Sequence, residues 1–313
     1  MVIMDKIFFS IIIPTYNQGE FLEKCISSCL NQTYQNFEII VIDNNSTDAT
    51  NKILKKYEKQ IIYKKFNNEG VISKSRNIAL KIAKGNWIAL LDSDDYFSLE
   101  KLEETKNAIL NNSFDVFLNS EWMLDRNSKL KEIWFYGNKK KNFYLDLIKY
   151  GSCLSTSASV VKREFLEHKS INFNESKEIK NVADYDFFLN IAREGGKFYF
   201  LKKPLGFHLI HEKSTGSQSV DTFFIALKKL LNNHFELDYI KRNSYFFSLL
   251  NLKVIEVISN SSHGFMKKIF NLFKILIQNP IDFSFIIFRI VIKKIKIIFF
   301  NYIYKQEKIN LQK

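Results

Sequence analysis

The stretch from residue 85 to 95, Gly-Asn-Trp-Ile-Ala-Leu-Leu-Asp-Ser-Asp-Asp, constrains the fold more than any other part of the chain. Its apolar part has the length of a strand, and a continuous apolar run is typical of a parallel strand covered on both faces. Because carboxylates are not buried bare, we expect the chain to reach the surface at Asp92. In an extended chain Asp92 and Asp94 would point the same way.

Two carboxylates at the carboxyl end of a parallel strand favour Mg²⁺ or Mn²⁺ that carries a diphosphate, because both cations prefer hard oxygen ligands. The plainer alternative is a strand that runs into an acidic turn. In that case Asp95 or Ser98 would cap the next helix.

Apolar runs and helical periodicity alternate around this stretch. In chain order, the predicted strands and helices occupy 8–13, 20–30, 37–42, about 48–57, 61–63, 70–83 and 87–91. A further helix is expected over 99–110 and further strands at 115–119 and 160–161. Strand–helix alternation at this spacing predicts βαβ units with right-handed crossovers, and therefore an α/β fold with a mostly parallel central sheet flanked by helices.

The loops after the predicted strands carry polar side chains. No Gly-x-Gly-x-x-Gly or Gly-Lys-Ser/Thr sequence follows the first strand, so neither a Rossmann dinucleotide site nor a P-loop is expected. The polar residues at the predicted carboxyl edge are Thr15, Tyr16, Asn17, Asp43, Asp92 and Asp94. Polar groups at the strand ends of an open α/β sheet form the usual ligand crevice.

Five segments in this order and spacing resemble the family 2 glycosyltransferases. They are Ile11–Asn17, Ile40–Asp48, Asn68–Gly70, Arg76–Asn77 and Gly85–Asp95. The resemblance implies a GT-A fold over residues 1–220. From residue 221 the chain loses the family pattern, and its own periodicity predicts a helical C-terminal extension over 221–313. The resemblance also implies an inverting, metal-dependent transfer of a hexosyl or N-acetylhexosaminyl group. The donor would be a nucleotide-diphosphate sugar, of UDP type, and the acceptor a hydroxyl of a glycan or lipid-linked saccharide in surface polysaccharide synthesis.

The resemblance further implies roles for individual residues. The donor-binding set is Pro14, Thr15, Tyr16 and Asn17 beside the nucleoside, Asp43 on a uracil-type ring NH, Arg76 near the diphosphate, and Asp92 with Ser93 near the ribose. The set implied for Mn²⁺ or Mg²⁺ is Asp92, Asp94 and His211. From the residues alone, plainer interpretations are an Asx turn at Asp43, a solvated helix face for Arg76 and a solvated loop for His211.

The segment Val-Ala-Asp-Tyr-Asp at 182–186 precedes a predicted apolar helix that starts at Phe187. By resemblance, Asp184 is the general base that removes the proton of the acceptor hydroxyl. An N-cap role for Asp184 is the alternative, and the two roles are compatible. Asp186 would then lie in the first turn of the helix. The small polar run 151–159 is expected to form a wall of the cleft.

The net charge of +13 is unevenly distributed. Residues 264–313 contain 10 Lys and Arg against 2 Asp and Glu, among many Phe and Ile residues. Predicted amphipathic helices over 264–277 and 281–304 favour peripheral attachment to an anionic membrane surface rather than nucleic-acid binding. Packing on the catalytic domain, or on a second subunit of a homodimer, is the alternative.

Localisation is predicted from absent signals. The sequence contains no uncharged apolar run of 18 residues, no signal-peptide pattern and no disulfide-type cysteine spacing. We therefore expect a cytoplasmic protein at the inner face of the plasma membrane.

Two rival functions follow from particular residues. A haloacid-dehalogenase-type phosphatase also places Asp-x-Asp after a strand, but it expects Thr or Val where this chain has Tyr96. A catalytically silent glycosyltransferase-like scaffold is suggested by Ala183, which occupies a position where the family usually has Glu.

Overall fold

The computed structural model describes residues 7–137, 142–150, 154–211 and 220–236, and all structural statements concern these residues. The chain divides into two compact units. The first unit comprises residues 1–139 and 153–211, and the second comprises 140–152 and 212–313. The proposed site lies in the first unit.

The first unit contains nine strands and six α-helices within its described residues. The strands are β1 (Phe9–Thr15), β2 (Phe37–Asp43), β3 (Ile62–Lys65), β4 (Trp87–Leu90), β5 (Tyr96–Phe97), β6 (Val116–Asp125), β7 (Leu130–Trp134), β8 (Ser159–Lys162) and β9 (Phe198–Ile210). The helices are α1 (Gly19–Leu30), α2 (Thr50–Lys56), α3 (Ile72–Ile82), α4 (Lys101–Asn111), α6 (Arg163–His168) and α7 (Ala183–Arg193). A 3-10 helix, Lys177–Val182, leads into α7.

The strands form one mixed sheet with the order β3-β2-β1-β4-β8-β6-β9-β5, and β7 pairs with β6. Strands β3, β2, β1 and β4 are parallel, as the alternating pattern predicts. Strand β8 is antiparallel to β4 and β6, and β5 is antiparallel to β9, so the parallel character does not extend across the sheet. The carboxyl ends of β1, β2 and β4 therefore meet at one edge.

The core lies between the parallel strands and the helices that cover them. Ile11 and Ile13 of β1 are completely buried, and each contributes about 1.5–3 kcal/mol through the apolar area it removes from water. Cys25 and Cys29 share the buried face of α1. Gly85 lies so close to β1 that a Cβ atom there would be 2.4 Å from the backbone nitrogen of Ser10. The close approach of β1 therefore requires glycine at position 85, two residues before β4.

Two element boundaries differ from the sequence expectations. Helix α4 begins at Lys101 after Glu100 as N-cap, so neither Asp95 nor Ser98 caps it. Strand β6 extends to Asp125 because its second half pairs with both β7 and β9. Long-range pairing of this kind leaves no local sequence signal.

In the second unit, the structure describes helices α5 (Phe143–Tyr150) and α8 (Val220–Glu236). They contact each other through the hydroxyl of Tyr144 and Nδ1 of His234, which lie 3.0 Å apart and are buried. The predicted helices over 264–277 and 281–304 lie outside the described residues, as does most of the predicted extension 221–313. Among the described helices, none is long and apolar enough to cross a membrane.

Candidate functional site

The loop after β1 forms one side of the site. Pro14 and Thr15 are the last residues of β1, and the Tyr16 side chain that follows is 56% exposed. Asn17 has a φ of 50°, a left-handed conformation that Asn tolerates better than most residues. Its backbone N–H donates to Oγ of Ser46 at 2.8 Å. The loops after β1 and β2 are thus tied together, while the ring of Tyr16 remains open to a ligand.

Asp43 ends β2 opposite Thr15 and is completely buried. Its Oδ1 accepts hydrogen bonds from the backbone N–H of Ser46, at 3.1 Å, and from the hydroxyl of the same residue. Its Oδ2 has no hydrogen-bond partner among the described residues. The local turn predicted as the alternative is therefore present, but it uses only one carboxylate oxygen. A buried acceptor without a partner is costly unless a ligand donates to it.

The acidic stretch forms a turn rather than an extended chain. Strand β4 ends at Leu90, and the N–H of Asp95 donates to the carbonyl of Asp92 at 3.0 Å. The extended chain assumed for Asp92 and Asp94 is therefore replaced by a turn, in which the two carboxylates contact different partners. Their side chains are 30% and 19% exposed, whereas Ser93 within the turn is buried.

Asp92 forms an ion pair with Arg76 from α3, in which Nη2 donates to Oδ1 at 2.6 Å. The hydroxyl of Thr156 donates to Oδ2 at 2.9 Å. Burial opposes ionisation of Asp92, but the charge and hydrogen bond of Arg76 outweigh it and lower the carboxyl pKa. Arg76 also lies over the ring of Phe173 and is almost completely buried, so the solvated helix face considered for it is wrong.

Asp94 contacts His211, with 3.0 Å between Oδ2 and Nε2. The imidazole is buried and stacks on Phe21 of α1 with ring centroids 4.7 Å apart, so the solvated loop considered for His211 is wrong. Burial, and then the charges of Asp95 and Asp92, raise the pKa of Asp94 to about 6. The excess negative charge of these neighbouring carboxylates favours the binding of a cation at the turn.

The donor atoms at this turn fit a divalent cation held jointly with a diphosphate. Among the described residues, no group of three or more His, Cys, Asp or Glu side chains forms a metal site by itself. Asp94 and His211 nevertheless supply an oxygen and a nitrogen ligand side by side, with Asp92 in the same turn. A cation that carries a diphosphate needs only one or two protein ligands, because phosphate oxygens and water complete its coordination.

Asp95 does not face the cleft but holds the turn in place. Its Oδ2 accepts from Oγ of Ser157 at 2.6 Å and lies 3.1 Å from Nδ1 of His208, and its Oδ1 accepts from the N–H of Leu209 at 3.0 Å. Ser157 Oγ in turn accepts from the N–H of Asp92 at 3.1 Å. Burial opposes the charge on His208, but the carboxylate of Asp95 raises its pKa to about 10. Two distant chain segments therefore converge on Asp95.

Asp184 lies in the first turn of α7, which begins at Ala183, so the N-cap interpretation is wrong. Its Oδ1 accepts from the N–H of Tyr185 at 2.8 Å. Burial raises the pKa of Asp184, and the nearby positive charge of Arg76 only partly offsets this effect. Asp186 is 6% exposed and accepts from the amide of Asn190 at 3.0 Å. Both aspartates lie in the first turn of α7, but Asp184 is half-buried and Asp186 is buried.

Several supporting residues were not identified as site residues from the sequence. Thr156 and Ser157 belong to the small polar run that was expected to form a cleft wall, and their hydrogen bonds also hold the acidic turn. Asn68 donates to Oγ of Ser75 at 3.0 Å and so holds the helix that presents Arg76. No sequence pattern marked His208 as a site residue, apart from its position three residues before His211.

Comparison with known proteins places this geometry in context. Residues 10–168 match the family described as Glycosyl transferase family 2. An uncharacterized glycosyltransferase of Haemophilus influenzae is 35% identical over 195 residues, which cover 61% of this chain and 74% of that protein. A poly(ribitol-phosphate) beta-glucosyltransferase of Bacillus spizizenii is 30% identical over 210 residues, covering 59% of this chain but only 32% of its own length.

Solved structures share the fold. S. aureus TarS 1-349 in complex with UDP-GlcNAc has a TM-score of 0.56 and 22% identity, with 80% of each chain covered. The mannosyltransferase PcManGT of Pyrobaculum calidifontis, in complex with GDP-Man and Mn2+, has a TM-score of 0.55 and 16% identity, with 84% of this chain and 73% of that chain covered. These likenesses bear out the GT-A architecture predicted from the sequence.

Proposed function

Because the chain belongs to glycosyl transferase family 2, we propose that it transfers a sugar, with inversion, from a UDP-sugar to a hydroxyl of a glycan or lipid-linked saccharide. The observation that carries the choice of donor is the buried Oδ2 of Asp43, which has no hydrogen-bond partner among the described residues. A carboxylate oxygen can only accept a hydrogen bond, and uracil presents a ring N–H. Cytosine and adenine present ring acceptors at the corresponding edge and would repel it, whereas guanine also presents a ring N–H, so the donor screen below has to separate UDP-sugars from GDP-sugars.

The acidic turn suits the other end of the donor. Asp94 and His211, with Asp92, are the residues that would hold Mn²⁺ or Mg²⁺. A bound cation supplies positive charge that stabilises the departing nucleotide diphosphate. Arg76 orients Asp92 through its ion pair and adds a further positive charge behind the turn. The chain thereby presents cationic groups to a leaving group that gains negative charge during transfer.

Asp184 is the proposed general base. The acceptor oxygen attacks C1 of the donor sugar, the bond between C1 and the diphosphate oxygen breaks, and the hydroxyl proton moves to the Asp184 carboxylate. Burial raises the pKa of Asp184 and makes it a stronger base than a solvated aspartate. One displacement from the face opposite the diphosphate inverts the anomeric centre.

Synthesis of a surface polysaccharide at the inner face of the plasma membrane is the proposed setting. A relative named as a poly(ribitol-phosphate) beta-glucosyltransferase supports a role in the synthesis of a surface polymer. The basic, apolar sequence over 264–313 supports attachment to anionic lipid. Flotation of the full chain with vesicles containing 30% phosphatidylglycerol, compared with neutral vesicles, tests attachment. Equal recovery of the protein with both vesicle types would contradict an electrostatic contribution to membrane attachment.

A donor screen tests the activity. UDP-glucose, UDP-GlcNAc, UDP-galactose and GDP-mannose are titrated calorimetrically with Mn²⁺ and again with EDTA, and released nucleotide is measured separately. We expect binding of a UDP-sugar that requires the metal and is lost in Asp94→Asn. Donor affinity and turnover that are unchanged in EDTA would refute the assignment of the metal ligands. A preference for GDP-mannose would refute uracil as the nucleobase of the donor.

The scaffold alternative is favoured only by Ala183, which is buried at the start of α7. Slow hydrolysis of the UDP-sugar without an acceptor would exclude it. Donor binding without hydrolysis or transfer to any acceptor would favour it over the enzyme.

A further inference from the structure

Strand β7 presents a large aromatic side chain beside the site. Trp134 lies opposite Glu121 of β6, and His208 of β9 lies opposite Met123 two residues further along β6. Side chains two residues apart on a strand share a face of the sheet, so Trp134 and His208 project from the same side. Trp134 is 40% exposed and the side chain of His208 is 35% exposed.

Both rings are held in fixed orientations. The planes of Trp134 and His208 are nearly parallel, at 15°, with centroids 6.4 Å apart. The indole Nε1 of Trp134 donates to the carboxylate of Glu132 at 2.6 Å, and Nδ1 of His208 lies 3.1 Å from the carboxylate of Asp95. An exposed aromatic surface that is oriented in advance binds a ligand with little further loss of conformational freedom.

The pair lies beside the acidic turn. His208 contacts Asp95, the residue that follows Asp94, and it precedes His211 by three positions along β9 and its end. At about 3.3 Å per residue, the backbone of His208 lies roughly 10 Å from that of His211. His208 therefore joins the pair to the acidic turn, at which the diphosphate of the donor is proposed to bind.

We propose that Trp134 and His208 form a subsite that binds a pyranose ring of the acceptor glycan, an assignment that rests on the proposed glycosyl transfer. The apolar face of a pyranose ring is a set of C–H bonds with partial positive charge, which the negative face of an indole attracts. Glu132 and the imidazole of His208 supply polar groups at the rim for ring hydroxyls. A linear polyol phosphate has no such face and would gain little here.

Substitution at Trp134 tests the subsite in the full chain. Trp134→Ala removes the surface and Trp134→Phe keeps an aromatic face. Tyr63→Ala is the matched control, because Tyr63 is also an exposed aromatic residue, at 37%, on β3 at the opposite end of the sheet order. Each variant is titrated with chitotriose, cellotriose, a chondroitin tetrasaccharide and poly(ribitol phosphate), with tryptophan emission and acceptor KM as readouts.

We expect at least one pyranose oligosaccharide to change the emission of the native protein saturably, and poly(ribitol phosphate) to have no such effect. Trp134→Ala should lose the change and raise the acceptor KM by at least about tenfold, with UDP affinity and UDP-sugar hydrolysis unaltered. Trp134→Phe should retain an acceptor KM within about threefold of the native value, and Tyr63→Ala should match the native protein.

Two results would overturn the subsite: no emission change with any pyranose oligosaccharide, or a native acceptor KM in Trp134→Ala. Failure of the proposed function is distinct, because it would show as absent UDP-sugar binding and hydrolysis in the native protein.

Discussion

Replacement of Asp184 by Asn is the most informative single change, because it removes the proposed base and conserves shape. The hydrogen bond from the N–H of Tyr185 to Oδ1 can be kept by the Asn carbonyl, so α7 should fold normally. What disappears is the ability to accept the acceptor proton. A positioned general base contributes about 100- to 10,000-fold to rate, equivalent to about 2.7–5.4 kcal/mol of transition-state stabilisation.

Asp186→Asn is the matched control two residues away. Asp186 is nearly buried and accepts from the amide of Asn190, and the carbonyl of Asn at position 186 can still accept that bond. We expect a loss of about 1–2 kcal/mol in the free energy of unfolding, with transfer reduced less than about fivefold. Steady-state transfer, calorimetric UDP-sugar binding and urea unfolding are measured for both variants.

The expected pattern for Asp184→Asn is near-native donor binding and unfolding midpoint, with transfer at least about 100-fold slower. Full activity in Asp184→Asn would refute the assignment of the base. Loss of transfer only in Asp186→Asn would move the base to that residue. Loss of donor binding in Asp184→Asn would mean instead that Asp184 acts on the donor, through Arg76 and Asp92.

Three further predictions concern Asp43, Asp95 and His208. Asp43→Asn should lower UDP affinity by about 10- to 100-fold, because an amide N–H would face the ring N–H of uracil. Calorimetry measures this affinity, and a variant that binds UDP as tightly as the native protein would contradict the prediction. Asp95→Asn should lower the free energy of urea unfolding by about 2–5 kcal/mol, because Ser157 and His208 lose a charged partner. The same change should weaken the binding of Mn²⁺ together with UDP, and an unchanged midpoint of urea unfolding would refute the prediction. The pKa of His208 rises from 6.5 to about 10 on folding, so its stabilisation is complete below pH 6.5 and lost as pH rises through 10. The free energies of unfolding of the native protein and of His208→Gln should therefore converge at high pH. A difference between them that stays constant with pH would refute the ion pair of His208 with Asp95.

The sequence by itself determined the elements whose signals are local. Apolar runs and helical periodicity located the alternating strands and helices up to β4 to within a few residues, because burial on both faces requires continuous apolar side chains. Parallel strands place their carboxyl ends together, so the gathering of Thr15, Asp43 and the acidic stretch at one edge followed from their positions after strands. Ordered motifs were also enough to identify the family.

Only the tertiary structure decided which partner each polar side chain meets. Asp92, Asp94 and Asp95 are adjacent in sequence, yet they contact Arg76, His211 and the Ser157–His208 pair respectively.

These partners lie between 16 and 117 residues away along the chain, so no local pattern could assign them. The backbone turn from Asp92 to Asp95 gives each carboxylate its own partner. Strand β9 and the residue after it bring both histidines to the turn through the pairing of β9 with β5 and β6. Hydrogen bonds and ion pairs form wherever the packed sheet brings a donor to an acceptor, whereas the apolar pattern records only which faces are buried.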